Sequence, residues 1–205
     1  MNSVDEILRL RPTLVIGSVP YKQETVAKLL ERPLNFLAMN PRSLADVEND
    51  IRMLGGLANR PAAAERVVRS MSKDFAVIAK QNRSNKRRVR VYCEAWSNPR
   101  ISSPPWVAEL VEIAGGHMVL PAGCTVTDEQ VAAADPEIIV LAWAATGAKA
   151  KPQIAYQVEA WKSVAAIRSR RVHVIRDELL NTPAPPLVKG AQELAKLIRA
   201  ARVAT

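Results

Sequence analysis

Two tryptophans and three prolines lie within the short stretch EAWSNPRISSPPW, residues 94–106. Proline restricts φ and lowers the entropy that a loop loses on ordering. Tryptophan offers a flat apolar face with a single hydrogen-bond donor. A stiff loop that carries indole rings therefore suits a flat, partly apolar ligand. We interpret this stretch as one wall of a ligand site, with Trp96 and Trp106 as candidate contacts; the alternative for both is packing in the core.

Two further aromatic residues follow predicted strands. Trp143 ends the strongest predicted strand, next to the small residues AATGAKA, which let a backbone approach a ligand closely. Its alternative role is to cover the edge of the sheet. Tyr21 follows the first strand and Gly17-Ser18-Val19-Pro20. It is a candidate to face the same ligand from another part of the chain, with local packing as the alternative.

The residues that could do other chemistry are scattered. The chain has no GxSxG, GxxxxGK[ST], GxGxxG or HExxH motif. His117 and His173 are isolated, and Cys93 and Cys124 form no CxxC pair. We therefore predict a protein that is not an enzyme and has neither a metal nor a cofactor. The cysteines are interpreted as buried free thiols, with a disulfide as the alternative.

Composition favours a soluble globular protein. The chain has 205 residues, of which 48% are hydrophobic and 24% charged. The N-terminus, MNSVDEILRLRP, lacks the pattern of a secretory signal, which predicts a cytoplasmic protein if Met1 is the true start. The net charge of +9 is concentrated in residues 61–90, with nine Lys/Arg against two Asp/Glu. We interpret this basic run as a solvated helix end; phosphate contact is the alternative, but no reader motif supports nucleic-acid binding.

The predicted elements alternate between strand and helix. Ser43 caps a helix that we predict to end at Gly55-Gly56, and Pro61 begins an amphipathic helix that runs to about residue 82. Such alternation is typical of parallel sheets covered by helices. The predicted fold is α/β, with two Rossmann-like β/α lobes joined by one long helix. The predicted parts are a partial N-terminal lobe (1–60), the connecting helix (61–85) and a C-terminal lobe (86–205).

The order and spacing of several stretches resemble the cobalamin-type substrate-binding proteins of ABC importers, a class with a helical backbone between its lobes. The stretches are RPTLVIGS (11–18), PRSLADVENDIRMLGGLANRPAAAERVV (41–68), RVRVYCEAWSNP (88–99), WVAELVEIAGG (106–116), VTDEQVAAADPEIIVLAW (126–143) and WKSVAAIRSRRVHVIRDELLNTPAPPLVKGAQELAKLI (161–198). The element E-x-W-x-x-P followed by W-x-x-E-L-x-x-x-A-G-G is similar to the cobalamin branch in particular. The resemblance covers nearly the whole chain.

The resemblance implies reversible capture of a corrinoid, or of another tetrapyrrole, in a cleft between the lobes. Haem and siderophore binders share the fold and remain alternatives. The implied ligand contacts are the rings of Trp96, Trp106 and Trp143, then Tyr21 and Ser18, and Glu94 as an acceptor for a corrinoid amide. Acidic residues of the family dock onto permease arginines, which implies this role for Asp46 and Glu178.

Members of the family have an additional N-terminal part before the segment that begins here near Val4. The resemblance therefore predicts an N-lobe sheet with an uncovered edge, which a second copy could cover in a homodimer. A truncated relative that acts as a cytosolic binding or interaction protein is the alternative function. The family otherwise implies a periplasmic or cell-envelope location and an importer permease as partner.

Overall fold

The computed structural model describes residues 4–19, 23–83, 87–144 and 151–203. The chain divides into two compact units, Met1–Pro41 and Arg42–Thr205, which are described separately below. The predicted lobe boundaries at residues 60 and 85 differ from this division and stay a prediction. None of the described helices is long and apolar enough to cross a membrane.

The smaller unit is a β/α/β motif. Helix α1 (Val4–Arg9) precedes strand β1 (Leu14–Ser18), and helix α2 (Gln23–Leu30) connects it to strand β2 (Asn35–Met39). The strands are parallel, in a register that pairs the first and last residues of one with those of the other. The short apolar runs TLVIG (13–17) and LNFLAM (34–39) predict these two strands. The unit has few buried apolar side chains, whereas Leu10, Ile16 and Leu30 are exposed.

The larger unit begins with two packed helices, α3 (Leu44–Leu57) and α4 (Pro61–Asn82). The Ser43 side chain caps α3 as predicted, by accepting a hydrogen bond from the Asp46 N–H. The predicted end of α3 at Gly55-Gly56 is wrong, because the helix continues through both glycines. A Cβ on Gly55 would lie 2.3 Å from the Cβ of Ala64, so this glycine lets the two helices approach closely.

Helix α4 matches the predicted long helix. Its buried side chains recur at helical spacing and form one stripe, as the apolar pattern predicts. The stripe consists of Ala64, Val68, Met71, Phe75 and Ile78, followed by Asn82.

The larger unit contains a mixed sheet around strand β3 (Val89–Ser97). Strand β6 (Ile138–Leu141) pairs with it in parallel, and strand β7 (Val172–Val174) pairs in parallel with β6. Strand β5 (Gly116–Met118) pairs in parallel with the start of β3, and strand β4 (Arg100–Ser102) pairs in antiparallel orientation with its end. Parallel strands align their carboxyl ends, so the ends of β3, β6 and β7 meet at one edge of the sheet.

Helices α5 (Pro105–Ile113) and α9 (Leu187–Val203) pack together, and α9 contacts β3 and β6. A separate apolar cluster contains Tyr92, Ile139 and Leu141 together with Trp143 and Trp161. Short helical segments also contribute to this cluster. They are α6 (Asp128–Ala134), α7 (Gln153–Tyr156), α8 (Ala165–Arg168) and the turn Glu159–Trp161. Successive side chains of a strand point to opposite faces of the sheet. Strand β3 can therefore contact α9 and also contribute to the apolar cluster.

The sequence predicts a loop for the proline-rich stretch at residues 94–106, but most of this stretch forms a β-hairpin. Strand β3 continues to Ser97, and a two-residue turn with a cis Asn98–Pro99 peptide bond leads into β4. The register shifts between Glu94 and Trp96, which marks a bulge. The loop prediction is wrong because prolines and polar residues are typical of loops. The strand that pairs with β3 lies within this same short stretch.

Several arginines of the basic run form contacts within the larger unit. Arg87 pairs with Glu137, and the Arg90 guanidinium lies 2.9 Å from the Asp135 carboxylate. The Arg88 Nη1 donates to the Glu112 carbonyl oxygen at 3.0 Å. These arginines lie just before or at the start of β3 and have partners within the larger unit, so the interpretation of the run as a solvated helix end is wrong for them.

The two thiols are free and differ in exposure, so the expectation of two buried thiols holds only for Cys93. Cys93 is fully buried in β3, and burial raises the pKa of its thiol to about 12. Cys124 is exposed. Since the thiolate is the reactive form, we expect an aromatic disulfide reagent to modify only Cys124 in the native protein. Modification of Cys93 should require unfolding by urea.

The control for this prediction is Cys124→Ser, which should remove the fast reaction and leave the slow one. Rapid modification of two thiols in the native protein would contradict the burial of Cys93.

Candidate functional site

The carboxyl edge of the larger sheet brings three chain segments together. They are the hairpin at the end of β3, the residues Ala142 and Trp143 after β6, and the turn Asp177–Leu179 after β7. The Asn181 side chain, two residues after this turn, donates to the Ala142 carbonyl oxygen at 2.5 Å and so links the chain after β7 to the residues after β6. Ligands of α/β proteins bind at this edge, so it is the candidate site of the larger unit.

Glu94 lies at the centre of this edge and is fully buried. One carboxylate oxygen accepts from the Trp143 indole N–H at 2.8 Å. The other accepts from the Tyr92 hydroxyl at 3.0 Å and from the Arg100 guanidinium at 2.9 Å. Both oxygens are therefore used within the protein. The predicted contact of Glu94 with a ligand amide stays a prediction, and this geometry favours an internal role.

Arg100 joins Glu94 to a second carboxylate. Its Nε donates to Asp128, and its guanidinium lies 4.2 Å from the centroid of the Trp161 ring. The rings of Trp161 and Tyr92 are nearly perpendicular, with 6.3 Å between their centroids. Burial alone would lower the pKa of Arg100, but Glu94 and Asp128 raise it overall. The network thus places one guanidinium between the fully buried Glu94 and Asp128, whose side chain is 41% exposed.

Each of the four indole N–H groups donates to an acceptor inside the larger unit. Trp96 donates to the Asn98 carbonyl oxygen at 2.9 Å, Trp106 to that of Leu180 at 2.8 Å, and Trp161 to that of Asp128 at 3.1 Å. Trp143 donates to Glu94, as described above. Any indole that contacts a ligand here would therefore do so through its ring and not through its donor.

The tryptophans differ sharply in exposure. Trp96 is 42% exposed, whereas Trp143 is 8% and Trp106 2% exposed. Trp96, on the hairpin, is therefore the most exposed of the four tryptophans. Burial favours the packing alternative for Trp106 and the sheet-edge alternative for Trp143, while a ligand contact through either ring stays a prediction.

The predicted contacts from the N-terminal part are less informative. Ser18 is the last residue of β1 in the smaller unit, paired in register with Met39. Tyr21 lies outside the described residues. The roles of both as ligand contacts stay predictions.

The two predicted docking residues are carboxylates at element starts. Asp46 lies in the first turn of α3, and hydrogen bonds from the Arg42 N–H and from Ser43 lower its pKa. Glu178 lies in the turn after β7, where a hydrogen bond from Arg176 lowers its pKa. Both carboxylates are therefore anionic at neutral pH. Whether a permease contacts them stays a prediction.

Sequence reasoning missed Tyr92 and Arg100 as partners of Glu94, and it missed Asp128 and Trp161 as neighbours of Arg100. Part of the signal was present, because Tyr92 and Glu94 are two residues apart and so share one face of a strand. The described residues include no group of three or more His, Cys, Asp or Glu side chains that could hold a metal ion.

The architecture is that of a ligand-binding α/β protein, with an exposed ring at the carboxyl edge of a mainly parallel sheet. A family model described as periplasmic binding protein matches residues 1–179. The chain belongs to this periplasmic binding protein family. The match confirms the resemblance to the substrate-binding proteins of ABC importers.

A known relative agrees with this assignment. The chain is 23% identical to YvrC of Bacillus subtilis, named as an uncharacterized ABC transporter substrate-binding lipoprotein, over 96% of this chain. The chain spans 65% of the length of that relative.

Solved structures with the same fold include two periplasmic binding proteins. The heme-binding protein RhuT from Roseiflexus sp. RS-1 has a TM-score of 0.81 and 21% identity, with coverage of 98% of this chain and 81% of RhuT. The vitamin B12-binding protein BtuF of Vibrio cholerae has a TM-score of 0.74 and 19% identity, with coverage of 97% and 78%. These likenesses confirm the predicted α/β fold class.

Proposed function

We propose that the chain is the substrate-binding component of an ABC importer and captures a corrinoid at the carboxyl edge of its larger sheet. The observation that carries the proposal is the exposed ring of Trp96. Its N–H already donates to the Asn98 carbonyl oxygen, so a ligand would meet the apolar ring face of an indole that is held on a hairpin. Such a face suits stacking against the macrocycle of a tetrapyrrole. Capture of this kind needs no catalytic group.

Two of the structural neighbours support a tetrapyrrole ligand, whereas another is named as a possible iron-binding protein. Proteins of this fold are named as binding vitamin B12 or heme, and both ligands are flat macrocycles. The resemblance of E-x-W-x-x-P to the cobalamin branch favours the corrinoid. An envelope location belongs to the same proposal, supported by a relative that is named as a lipoprotein.

The test is a tryptophan-fluorescence titration with cyanocobalamin, with haem as the comparison and equilibrium dialysis as a check against optical artefacts. Saturable binding of the corrinoid alone would support the proposal. Saturable binding of haem alone would replace the corrinoid by haem as the ligand. Binding of neither would overturn the tetrapyrrole proposal.

The importer partner yields a separate prediction for Asp46 and Glu178. We expect the double replacement Asp46→Lys and Glu178→Lys to keep ligand affinity but to reduce corrinoid uptake strongly, because two anions that would dock onto permease arginines become cations. Uptake would be measured in cells that depend on this chain. The control is Glu129→Lys with Glu159→Lys, since both residues are exposed elsewhere. Equal uptake by both double variants would contradict the docking role.

A second candidate function rests on the smaller unit. Its two-stranded parallel sheet leaves Ile16 exposed, beside exposed Leu10 and Leu30 in the same unit. Parallel sheets are normally covered on both faces, which favours a homodimeric interaction protein in which a second copy covers this sheet. Light scattering without ligand distinguishes the two functions. A stable dimer would support this candidate, and a monomer at all concentrations would exclude it.

A further inference from the structure

Two buried carboxylates lie at opposite ends of the β3–β6 strand pair. Glu94 is at the carboxyl end and Glu137, which is 6% exposed, is at the amino end. Glu137 pairs with Arg87 and accepts from the Arg90 N–H at 3.0 Å. Both glutamates therefore bind arginine inside the same sheet, but only Glu94 lies at the edge where a ligand is expected.

The partners of Glu94 come from the two strands of the hairpin and from the residues that follow a third strand. Tyr92 belongs to β3, Arg100 to β4 and Trp143 to the residues after β6. Arg100 is held in turn by Asp128 and by the Trp161 ring. One carboxylate thus connects the hairpin that carries Trp96 to the end of the neighbouring strand.

We infer that Glu94 is a positioning residue of the ligand site, which holds Trp143 and the β3–β4 hairpin in the arrangement that presents Trp96. It acts through these partners and does not contact the ligand. This inference rests on the proposed function and replaces the contact with a ligand amide that the resemblance implied for Glu94.

The chemistry of the partners explains why a carboxylate is required. The Trp143 indole and the Arg100 guanidinium can only donate hydrogen bonds, and an ionised carboxylate accepts on both oxygens. A glutamine has nearly the same shape but one acceptor oxygen. If the glutamine NH₂ group faced Trp143, the indole N–H would lose the acceptor oxygen that Glu94 provides. If the NH₂ group faced Arg100 instead, the guanidinium would lose the acceptor oxygen that Glu94 provides to it. Glu94→Gln therefore disrupts the arrangement without creating a cavity.

The experiment compares Glu94→Gln with the matched control Glu137→Gln. Three quantities are measured for each: stability in urea, the NMR positions of the indole N–H signals in isotope-labelled protein, and cyanocobalamin affinity at full folding. Replacements of single tryptophans by phenylalanine assign the signals. We expect both variants to lose stability. Only Glu94→Gln should shift the Trp143 and Trp96 signals and weaken affinity by about tenfold or more.

Several outcomes would overturn the inference. One is unchanged affinity in Glu94→Gln despite a shifted Trp143 signal, and another is an equal loss of affinity in Glu137→Gln. If Glu94→Gln does not fold, Tyr92→Phe takes its place, because it removes only the hydroxyl that donates to Glu94. Unmoved Trp96 and Trp143 signals in Tyr92→Phe, with unchanged affinity, would then overturn the inference.

The same experiment separates this inference from the proposed function. If the unmodified protein binds neither cyanocobalamin nor haem, the proposed function fails, yet the indole signals still report on positioning. A Trp96 signal that moves in Glu94→Gln but not in Glu137→Gln would support the positioning role alone. An unmoved Trp96 signal would overturn it.

Discussion

Replacement of Arg100 by methionine is expected to lower the free energy of unfolding by about 3 kcal/mol. Glu94 has no exposed surface, and Arg100 is its cationic partner at 2.9 Å. Loss of the guanidinium leaves a buried carboxylate without a compensating charge and also removes the contact with the Trp161 ring. Methionine fills much of the same space, so the lost charge, and not a cavity, dominates the effect. Equilibrium unfolding in urea measures the change.

The control is Arg176→Met, which removes a guanidinium from an ion pair with Glu178 at the surface. Exposed ion pairs contribute little to stability, so this variant should unfold at the same urea concentration as the unmodified protein. Equal urea midpoints for Arg100→Met and Arg176→Met would show that Glu94 is not buried as described.

Replacement of Trp96 by alanine is expected to weaken corrinoid binding by about tenfold or more. Trp96 is 42% exposed on the hairpin, and the apolar face of its ring is the surface that the proposed function assigns to the macrocycle. Little stability should be lost, because an exposed side chain contributes little packing. Equilibrium dialysis against cyanocobalamin is the suitable measurement, because removal of one of the four tryptophans also changes the fluorescence of the protein.

Ile154 offers a matched control for Trp96, since it has the same exposed fraction of 42% in the same unit. Ile154→Ala should leave the dissociation constant unchanged, and Trp96→Phe should retain most of the affinity because an aromatic face remains. Unchanged affinity in Trp96→Ala would remove the observation that carries the corrinoid proposal.

Much of the fold follows from patterns within short segments. The apolar stripe of residues 61–82 predicts α4, and the apolar run that contains 138–141 predicts β6. Thr127 and Gln130 predict a capping box, which the structure contains. Helix periodicity, strand runs and caps are all set by neighbours in the chain, so a single sequence is enough to find them.

The sequence was less informative where a residue has two possible roles. Gly55 reads as a helix stop, but it lies inside α3 against Ala64 of the next helix. The stretch after Cys93 reads as a loop, but it pairs with β4. In both cases the observed structure depends on a contact, with Ala64 for Gly55 and with β4 for the stretch after Cys93. The propensities of single residues do not predict such contacts.

By itself, the sequence determined the α/β class, most elements and the concentration of tryptophan and proline near the end of β3. Only the tertiary structure decided which of these side chains is open to a ligand. Trp106 is buried, and its indole N–H donates to the Leu180 carbonyl oxygen. Both carboxylate oxygens of Glu94 already accept hydrogen bonds, one from Trp143 and the other from Arg100. The physical reason is that burial and hydrogen-bond pairing depend on residues far apart in the chain, such as Glu94 and Trp143, which only the folded sheet brings together.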